Sequence, residues 1–239
     1  MKKKLSILIF TDLDGTLLHR DTFAFDEIKK YIKDIISERI YVIPNTSKTD
    51  KEILSFNQKL GEALPYITEN GSAIKGLNLI NKDLPKELIL SKEKEELINI
   101  FENEVPEDLK IKCKWITKMN KENQLKILGL PEDQITNALD RKYTVPFIFD
   151  GNKNEINQLS KILKLKGLTL QEGGRVINLC DRVSKAKAMQ IFIRFFKKNN
   201  ENIKTIAVGD NYNDLDMLKI SDYPCLVFND QFRLDQIFI

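Results

Sequence analysis

The chain has 239 residues, 42% of them hydrophobic, enough to bury a large core as one big domain or two modest ones. Charged residues make up 31% and nearly cancel at +3, with lysines scattered through predicted helices, so there is no basic footprint for nucleic acid. The longest apolar run, near Leu5 to Phe10, is far short of the roughly 20 residues that span a bilayer, and no signal-peptide core follows the initial lysines; the expectation is a cytoplasmic protein with no membrane partner.

Leu5 to Thr11 is a continuous, Ile-rich apolar run, the pattern of a strand buried on both faces of a parallel sheet, and it ends at Asp12. Ile28, Tyr31, Ile32, Ile35 and Ile36 then recur at helical spacing behind Asp26 and Glu27. A second strand, Ile40 to Ile43, ends at Asn45-Thr46-Ser47. Thr49 with Glu52 reads as a capping box opening a helix that runs through Leu60 to Gly61. This β-α-β-α order predicts a parallel sheet with helices on both faces.

After about Ala73 the text becomes richer in Lys and Glu. Helices are expected near Lys92 to Glu104, Met119 to Leu128, Pro131 to Lys142 and Asn154 to Lys166, and strands near Lys112 to Thr117, Thr144 to Phe149 and Leu168 to Glu172. Gly173-Gly174 reads as a tight hairpin turn. The opening rhythm then returns with a helix from Ser184 to Lys198, a strand Thr205 to Val208, a helix from Asp214 and a short strand Leu226 to Phe228. The predicted fold is α/β: a Rossmann-like parallel-sheet core from residues 1–76 and 175–239, interrupted by an inserted α+β domain over 77–174.

Several chemistries are excluded by residue type. A single histidine, His19, cannot build a histidine-rich binuclear centre, and there is no phosphate-binding Gly-x-x-x-x-Gly-Lys-Ser/Thr loop. Cys113, Cys180 and Cys225 are widely spaced, lack paired-ligand spacing and read as buried reduced thiols. Carboxylates and oxygen ligands remain, and they suit hard Mg²⁺.

The strongest motif is Asp12-Leu13-Asp14-Gly15-Thr16, at the carboxyl end of a strand, where open parallel sheets bind ligands. Alternation puts both carboxylates on one side of the chain. Asp12 can attack phosphorus to form an aspartyl-phosphate, while Asp14 can protonate the leaving oxygen and later deprotonate water. Gly209-Asp210-Asn211-Tyr212-Asn213-Asp214 follows another apolar strand, so Asp210 can ligate a metal directly and Asp214 directly or through water. Asn213 or Asp214 also suits a helix N-cap. Thr46 and Lys185, at the second strand end and at the start of the returning helix, offer a hydroxyl and a fixed cation to phosphoryl oxygens.

In this order the four stations resemble the haloacid dehalogenase superfamily of phosphatases over essentially the whole chain. The resemblance implies Asp12 as nucleophile, Asp14 as acid/base, Thr46 and Lys185 as phosphate ligands, a Mg²⁺ site from Asp12, Asp14, Asp210 and Asp214, and the insertion as an α+β cap. Asn45-Thr46-Ser47-Lys48-Thr49, Thr68-Glu69-Asn70-Gly71-Ser72-Ala73-Ile74 and Arg141-Lys142-Tyr143 are similar to the mannosyl-3-phosphoglycerate phosphatases of compatible-solute synthesis. Ala186 stands where a glycine commonly follows the family lysine, and gluco- and manno-configured substrates both fit the motifs.

That resemblance implies a small phosphorylated metabolite as partner. Ser47 and Lys48 sit beside the phosphate station, and Lys48, Arg141 and Arg175 can offer cations to a glycerate carboxylate. Asn70, Gly71 and Ser72 form a turn-prone loop whose amides and hydroxyls suit sugar or glycerate oxygens, with Glu69 as a possible anchor of that loop. A phosphomannomutase-like phosphotransferase shares the aspartyl-phosphate, and a non-catalytic sugar-phosphate binder shares the fold; the intact pair of Asp12 and Asp14 speaks against the latter.

Overall fold

The computed structural model describes residues 5–173, 175–197 and 202–228. In chain order it forms β1 (Ser6–Thr11), α1 (Asp26–Ser37), β2 (Tyr41–Pro44), α2 (Asp50–Leu60), β3 (Tyr66–Thr68), β4 (Ala73–Lys75) and β5 (Glu87–Ile89). There follow α3 (Lys94–Glu104), α4 (Glu107–Lys110), β6 (Cys113–Trp115), α5 (Lys121–Leu128), α6 (Glu132–Leu139), β7 (Thr144–Phe149), α7 (Lys153–Leu165), β8 (Leu168–Glu172) and β9 (Ile177–Asp181). The chain then makes α8 (Lys185–Lys197), β10 (Ile203–Gly209), α9 (Leu215–Ile220) and β11 (Tyr223–Leu226).

The first sheet is parallel throughout, in the order β11-β10-β1-β2. Apolar residues on both faces of these strands demand cover on both sides, and the helices supply it. Leu8 and Phe10 of β1 pack with Met189 and Phe192 of α8, where the Phe10 and Phe192 rings meet edge-on at 5.4 Å. On β2 the pleat sends neighbours to opposite layers: Ile43 joins that cluster, while Val42 packs with Phe25, Ile32, Ile53 and Phe56 beneath α1 and α2. The capping box of α2 forms as read, with Glu52 N donating to Thr49 Oγ1 and Thr49 N to the Glu52 carboxylate.

The inserted unit has its own antiparallel sheet, β6-β7-β9-β8, and its own core, in which Trp115 lies between Phe101 and Phe147 with centroids 4.8 and 5.4 Å away. Its limits differ from those expected. Leu77, and with it Ile80, Leu84, Leu88 and Leu90, pack on the first core, because β4 and β5 form a small sheet with β3 at its edge. At the other end β9 pairs with β8 and β7, and Leu179 is buried in the second core. The second core therefore begins after Leu90 and runs through Asp181, instead of spanning 77–174. β8 and β9 are the expected hairpin, but Gly174 lies outside the described residues.

Smaller differences follow the same logic. The last strand is β11, Tyr223–Leu226, not Leu226 to Phe228, because Tyr223 and Leu226 pair with Ile206 and Gly209 of β10. Lys198 lies outside the described residues. Cys113 and Cys180 are buried, and burial pushes the Cys113 thiol up to about 12, whereas Cys225 on the outermost strand is exposed. Among the described residues no helix is long and apolar enough to cross a membrane.

Between α9 and β11, Asp222 fastens the edge of the sheet. Its Oδ2 accepts from Thr205 N and Oγ1, both at 2.9 Å, and Lys204 Nζ lies 2.9 Å from Oδ1. The bond to Lys204 and those from Thr205 hold its carboxyl down at about 2. A carboxyl depressed by folding stabilises the native state above its unfolded pKa, and that stability drains away as pH falls from about 3.8 through about 2. Asp222→Asn is therefore expected to lower the denaturation midpoint at neutral pH, and the gap from the parent chain should close below pH 3 in paired urea titrations.

Candidate active site

Asp12 leaves β1 still in sheet register, its amide donating to Val208 O at 2.9 Å. The chain then turns back, with Leu18 N donating to Leu13 O at 2.8 Å, and Leu13 is fully buried. Anchoring Leu13 inward leaves Asp12 and Asp14 on the side of the strand ends. Gly15 makes the turn possible: its φ is +80°, and a Cβ there would come within 2.5 Å of Asp210 Oδ2. Thr16 Oγ1 donates to Asp210 Oδ1 at 3.2 Å, tying this turn to the end of β10.

Carboxylate oxygens of Asp12, Asp210 and Asp214 lie within 4.8 Å of one another, and all three residues are buried. One cation stands among them. Lys185 Nζ, itself 1% exposed, is 2.6 Å from Asp214 Oδ1 and 2.9 Å from Asp12 Oδ1. Burial acts to lower the Lys185 pKa, but Asp12 and Asp214 more than offset it and hold the ammonium above the ordinary lysine value. The carboxylates fare worse. Burial pushes Asp214 up to about 6 despite Lys185, and raises Asp210 with the help of the Asp12 charge. Three carboxylates crowd together here, with Lys185 paired to two of them and the Arg20 charge also acting on Asp210. An all-oxygen cluster of three crowded, buried carboxylates fits a hard divalent cation.

Asp14 stands outside that cluster. Its Oδ2 pairs with Lys48 Nζ at 2.9 Å, and Lys48 Nζ also reaches Glu52 Oε1 at 3.1 Å. Burial raises the Asp14 pKa, with Lys48 opposing it, while Glu52 stays below the usual carboxylate range because Lys48 and Arg141 outweigh burial. Thr46 lies buried at the end of β2, its Oγ1 accepting from Lys48 N at 3.3 Å. Asp214 Oδ2 accepts from Asp210 N and Asn211 N, and Asn211, not Asn213, caps the one-turn helix Tyr212–Asp214.

A cleft between the two units is lined by Asp12, Asp14, Ser47, Lys48 and Asp210 from the first and by Arg141, Arg175 and Asn178 from the second. Asn70, Gly71 and Ser72, expected at the substrate, do not line it. Asn70 N donates to Thr46 O, its Oδ1 accepts from Asn213 Nδ2 at 3.3 Å, and Ser72 Oγ donates to Glu69 O. Gly71, at φ +98°, packs so closely on the Ser184 carbonyl that a Cβ would sit 2.3 Å from its oxygen. This loop braces the catalytic loops from behind, because its polar groups are already spent on them. Arg20, Phe23 and Asn178 are among the cleft residues not singled out from sequence. Phe23 has φ +56° and carries Lys48 Nζ 5.2 Å and Arg175 Cζ 5.6 Å from its ring centroid. A lone aromatic in the polar turn Arg20-Asp21-Thr22-Phe23 was the available signal. Glu52 was legible only as a helix cap.

The family model of haloacid dehalogenase-like hydrolases matches residues 9–237. The chain belongs to this family. It is 32% identical to the glucosyl-3-phosphoglycerate/mannosyl-3-phosphoglycerate phosphatase of Persephonella marina, over 92% of this chain and 84% of that one. It is 30% identical to the protein of the same name from Methanococcoides burtonii, with the same coverage of both chains. A haloacid dehalogenase-like hydrolase from B. subtilis has the same fold, with a TM-score of 0.65 at 20% identity over 90% of this chain and 86% of that one. The family and these relatives make the chain a phosphoric monoester hydrolase.

The crowding of these carboxylates generates a prediction. With chelator present, Asp210→Asn removes one of three crowded anions and should raise the thermal midpoint by about 2 °C or more. With excess Mg²⁺ the order should reverse, since the parent chain gains ligand stabilisation that the variant cannot match. Calorimetric scans of both proteins with and without metal check this.

Proposed function

We propose that the chain hydrolyses a glycosylated 3-phosphoglycerate, gluco- or manno-configured, by way of an aspartyl-phosphate on Asp12. The observation that carries the proposal is the placement of Asp12 and Asp14 in one cleft with different partners, Lys185 for the first and Lys48 for the second. A carboxylate nucleophile beside a second carboxyl whose pKa burial raises is what a two-step monoester hydrolysis needs. The substrate class rests on the relatives' names and on the cations Lys48, Arg141 and Arg175 lining the same cleft.

In the proposed reaction Lys185 and the Thr46 hydroxyl hold the equatorial oxygens of the phosphoryl group, and Ser47 lies beside them. Asp12 attacks phosphorus in line; Asp14 gives its proton to the departing glycerate oxygen. Asp14, now ionised, removes a proton from the water that attacks the acyl phosphate, returning inorganic phosphate and free Asp12. Asp12, Asp210 and Asp214 would hold Mg²⁺, with Asp14 beside them, and the bound ion would neutralise charge on the phosphoryl oxygens. The apolar wall of Leu139, Pro146 and Val176 limits bulk water around the transferring group. Arg141 and Arg175 hold the glycerate carboxylate, distant from the reacting bond.

The direct test is phosphate release across sugar phosphates, phosphoglycerate and glycosyl-phosphoglycerates, without any sugar bisphosphate activator. Turnover is expected with Mg²⁺ and loss with chelator. Preference for a plain sugar phosphate, or a need for a bisphosphate, would contradict the assignment. Asp12→Asn should abolish release while the protein stays folded. Asp14→Asn should slow the glycosyl substrate by roughly a hundred-fold or more yet spare p-nitrophenyl phosphate by comparison, because that leaving group needs little protonation.

A further inference from the structure

Glu69 sits in a strained turn for which the proposed chemistry has no use. Its φ is +46° and that of Asn70 is +60°, the left-handed region that side chains with a Cβ avoid. Such conformations persist where the surroundings enforce them, and they cluster at functional sites. Here the enforcement is visible. Glu69 N donates to Lys48 O at 3.0 Å and Asn70 N to Thr46 O at 3.0 Å, so the turn's backbone carries the loop Thr46–Lys48.

The side chain of Glu69 reaches across to the inserted unit. Its carboxylate, 1% exposed, accepts from Lys142 N at 2.9 Å, Tyr143 N at 3.1 Å and Thr144 Oγ1 at 2.6 Å. An ionised carboxylate only accepts, so the Thr144 hydroxyl must direct its proton to Glu69. Its lone pair is thereby presented to Arg141, whose Nη1 donates to Thr144 Oγ1 at 2.9 Å and to Ser47 O at 3.2 Å. The result is a closed ring: loop 46–48, Glu69, Thr144, Arg141 and back to Ser47.

We propose that Glu69 and Thr144 are positioning residues for Arg141, fixing the direction in which its guanidinium faces the cleft and so setting selectivity for substrates with an anionic group remote from the phosphate. This rests on the reading of Arg141 as a contact to the substrate carboxylate. Thr144 is the better probe, because valine has nearly the same shape and removes only the hydroxyl, while serine keeps it.

The experiment compares kcat/KM for glucosyl-3-phosphoglycerate with that for p-nitrophenyl phosphate in the parent chain, Thr144→Val, Thr144→Ser, Arg141→Ala and the Thr144→Val/Arg141→Ala double variant. Thr144→Val is expected to lower the ratio roughly ten-fold, mainly through KM for the glycosyl substrate. Thr144→Ser should restore the ratio, and the double variant should be no worse than Arg141→Ala, because both changes remove one function. A lowered ratio for Arg141→Ala with an unchanged one for Thr144→Val would overturn the positioning role and leave the carboxylate contact standing. An unchanged ratio for Arg141→Ala would remove that contact and the positioning role with it. Equal losses on both substrates for Thr144→Val, or losses that multiply in the double variant, would assign Thr144 to the fold.

Discussion

A lysine ammonium with almost no access to water is costly to bury, and only tight pairing with anions makes it tolerable. Lys185 meets that condition through Asp12 and Asp214, which come from the ends of β1 and β10, while its own backbone carbonyl accepts from Asn45 Nδ2 at 3.1 Å at the end of β2. Three strand ends are thus gathered on one residue at the start of α8. Removing either side of such a pairing strands a buried charge at a cost of about 3–5 kcal/mol, so the contacts that organise the site also secure the fold. Asp210 crowds the same pairing, and the carboxylates of Asp12, Asp210 and Asp214 form an all-oxygen cluster that could hold a metal cation.

The cleft brings opposite charges together: Asp12 and Asp210, a Lys48–Asp14 pair with Lys48 over Phe23, and Arg141 and Arg175 from the inserted unit. Several polar contacts hold the two units together at one segment. Thr49 Oγ1 donates to Asn137 O at 2.7 Å, Lys51 pairs with Asp140 at 3.3 Å, and Glu69 receives Lys142, Tyr143 and Thr144. All join residues 137–144 to the start of α2 and to the Glu69 turn beside the cleft.

Much of this was legible in the sequence because strong local signals coincided with the chemistry. The Ile-rich run before Asp12 and the apolar strand before Asp210 marked two strand ends, where Asp12, Lys185, Asp210 and Asp214 meet, while Thr46 lies buried at the end of β2. What was not legible depended on long-range pairing. β3, β4 and β5 are three residues each, too short for periodicity to declare them, and their pairing moved the first boundary of the insertion. β9 was expected only as the second arm of a hairpin with β8; its pairing with β7, which seats it in the middle of the inserted sheet, is long-range. Asn70, Gly71 and Ser72 read as ligand-binding because turn residues carry free polar groups; here Thr46, Thr68, Glu69 and Asn213 had already taken them. Arg20, Phe23 and Asn178 belong to a cleft that exists only once the two units meet.

The claim on which the account stands is that phosphorus passes through the carboxylate of Asp12. Rapid quenching of the Asp14→Asn variant during turnover, followed by borohydride reduction and peptide mass spectrometry, reads this directly, because an acyl phosphate is reduced to the alcohol and its residue is marked. The account predicts homoserine at position 12, dependent on substrate and absent when Asp12 is replaced. A mark on any other residue, or burst-phase phosphate release with position 12 still aspartate, would contradict it.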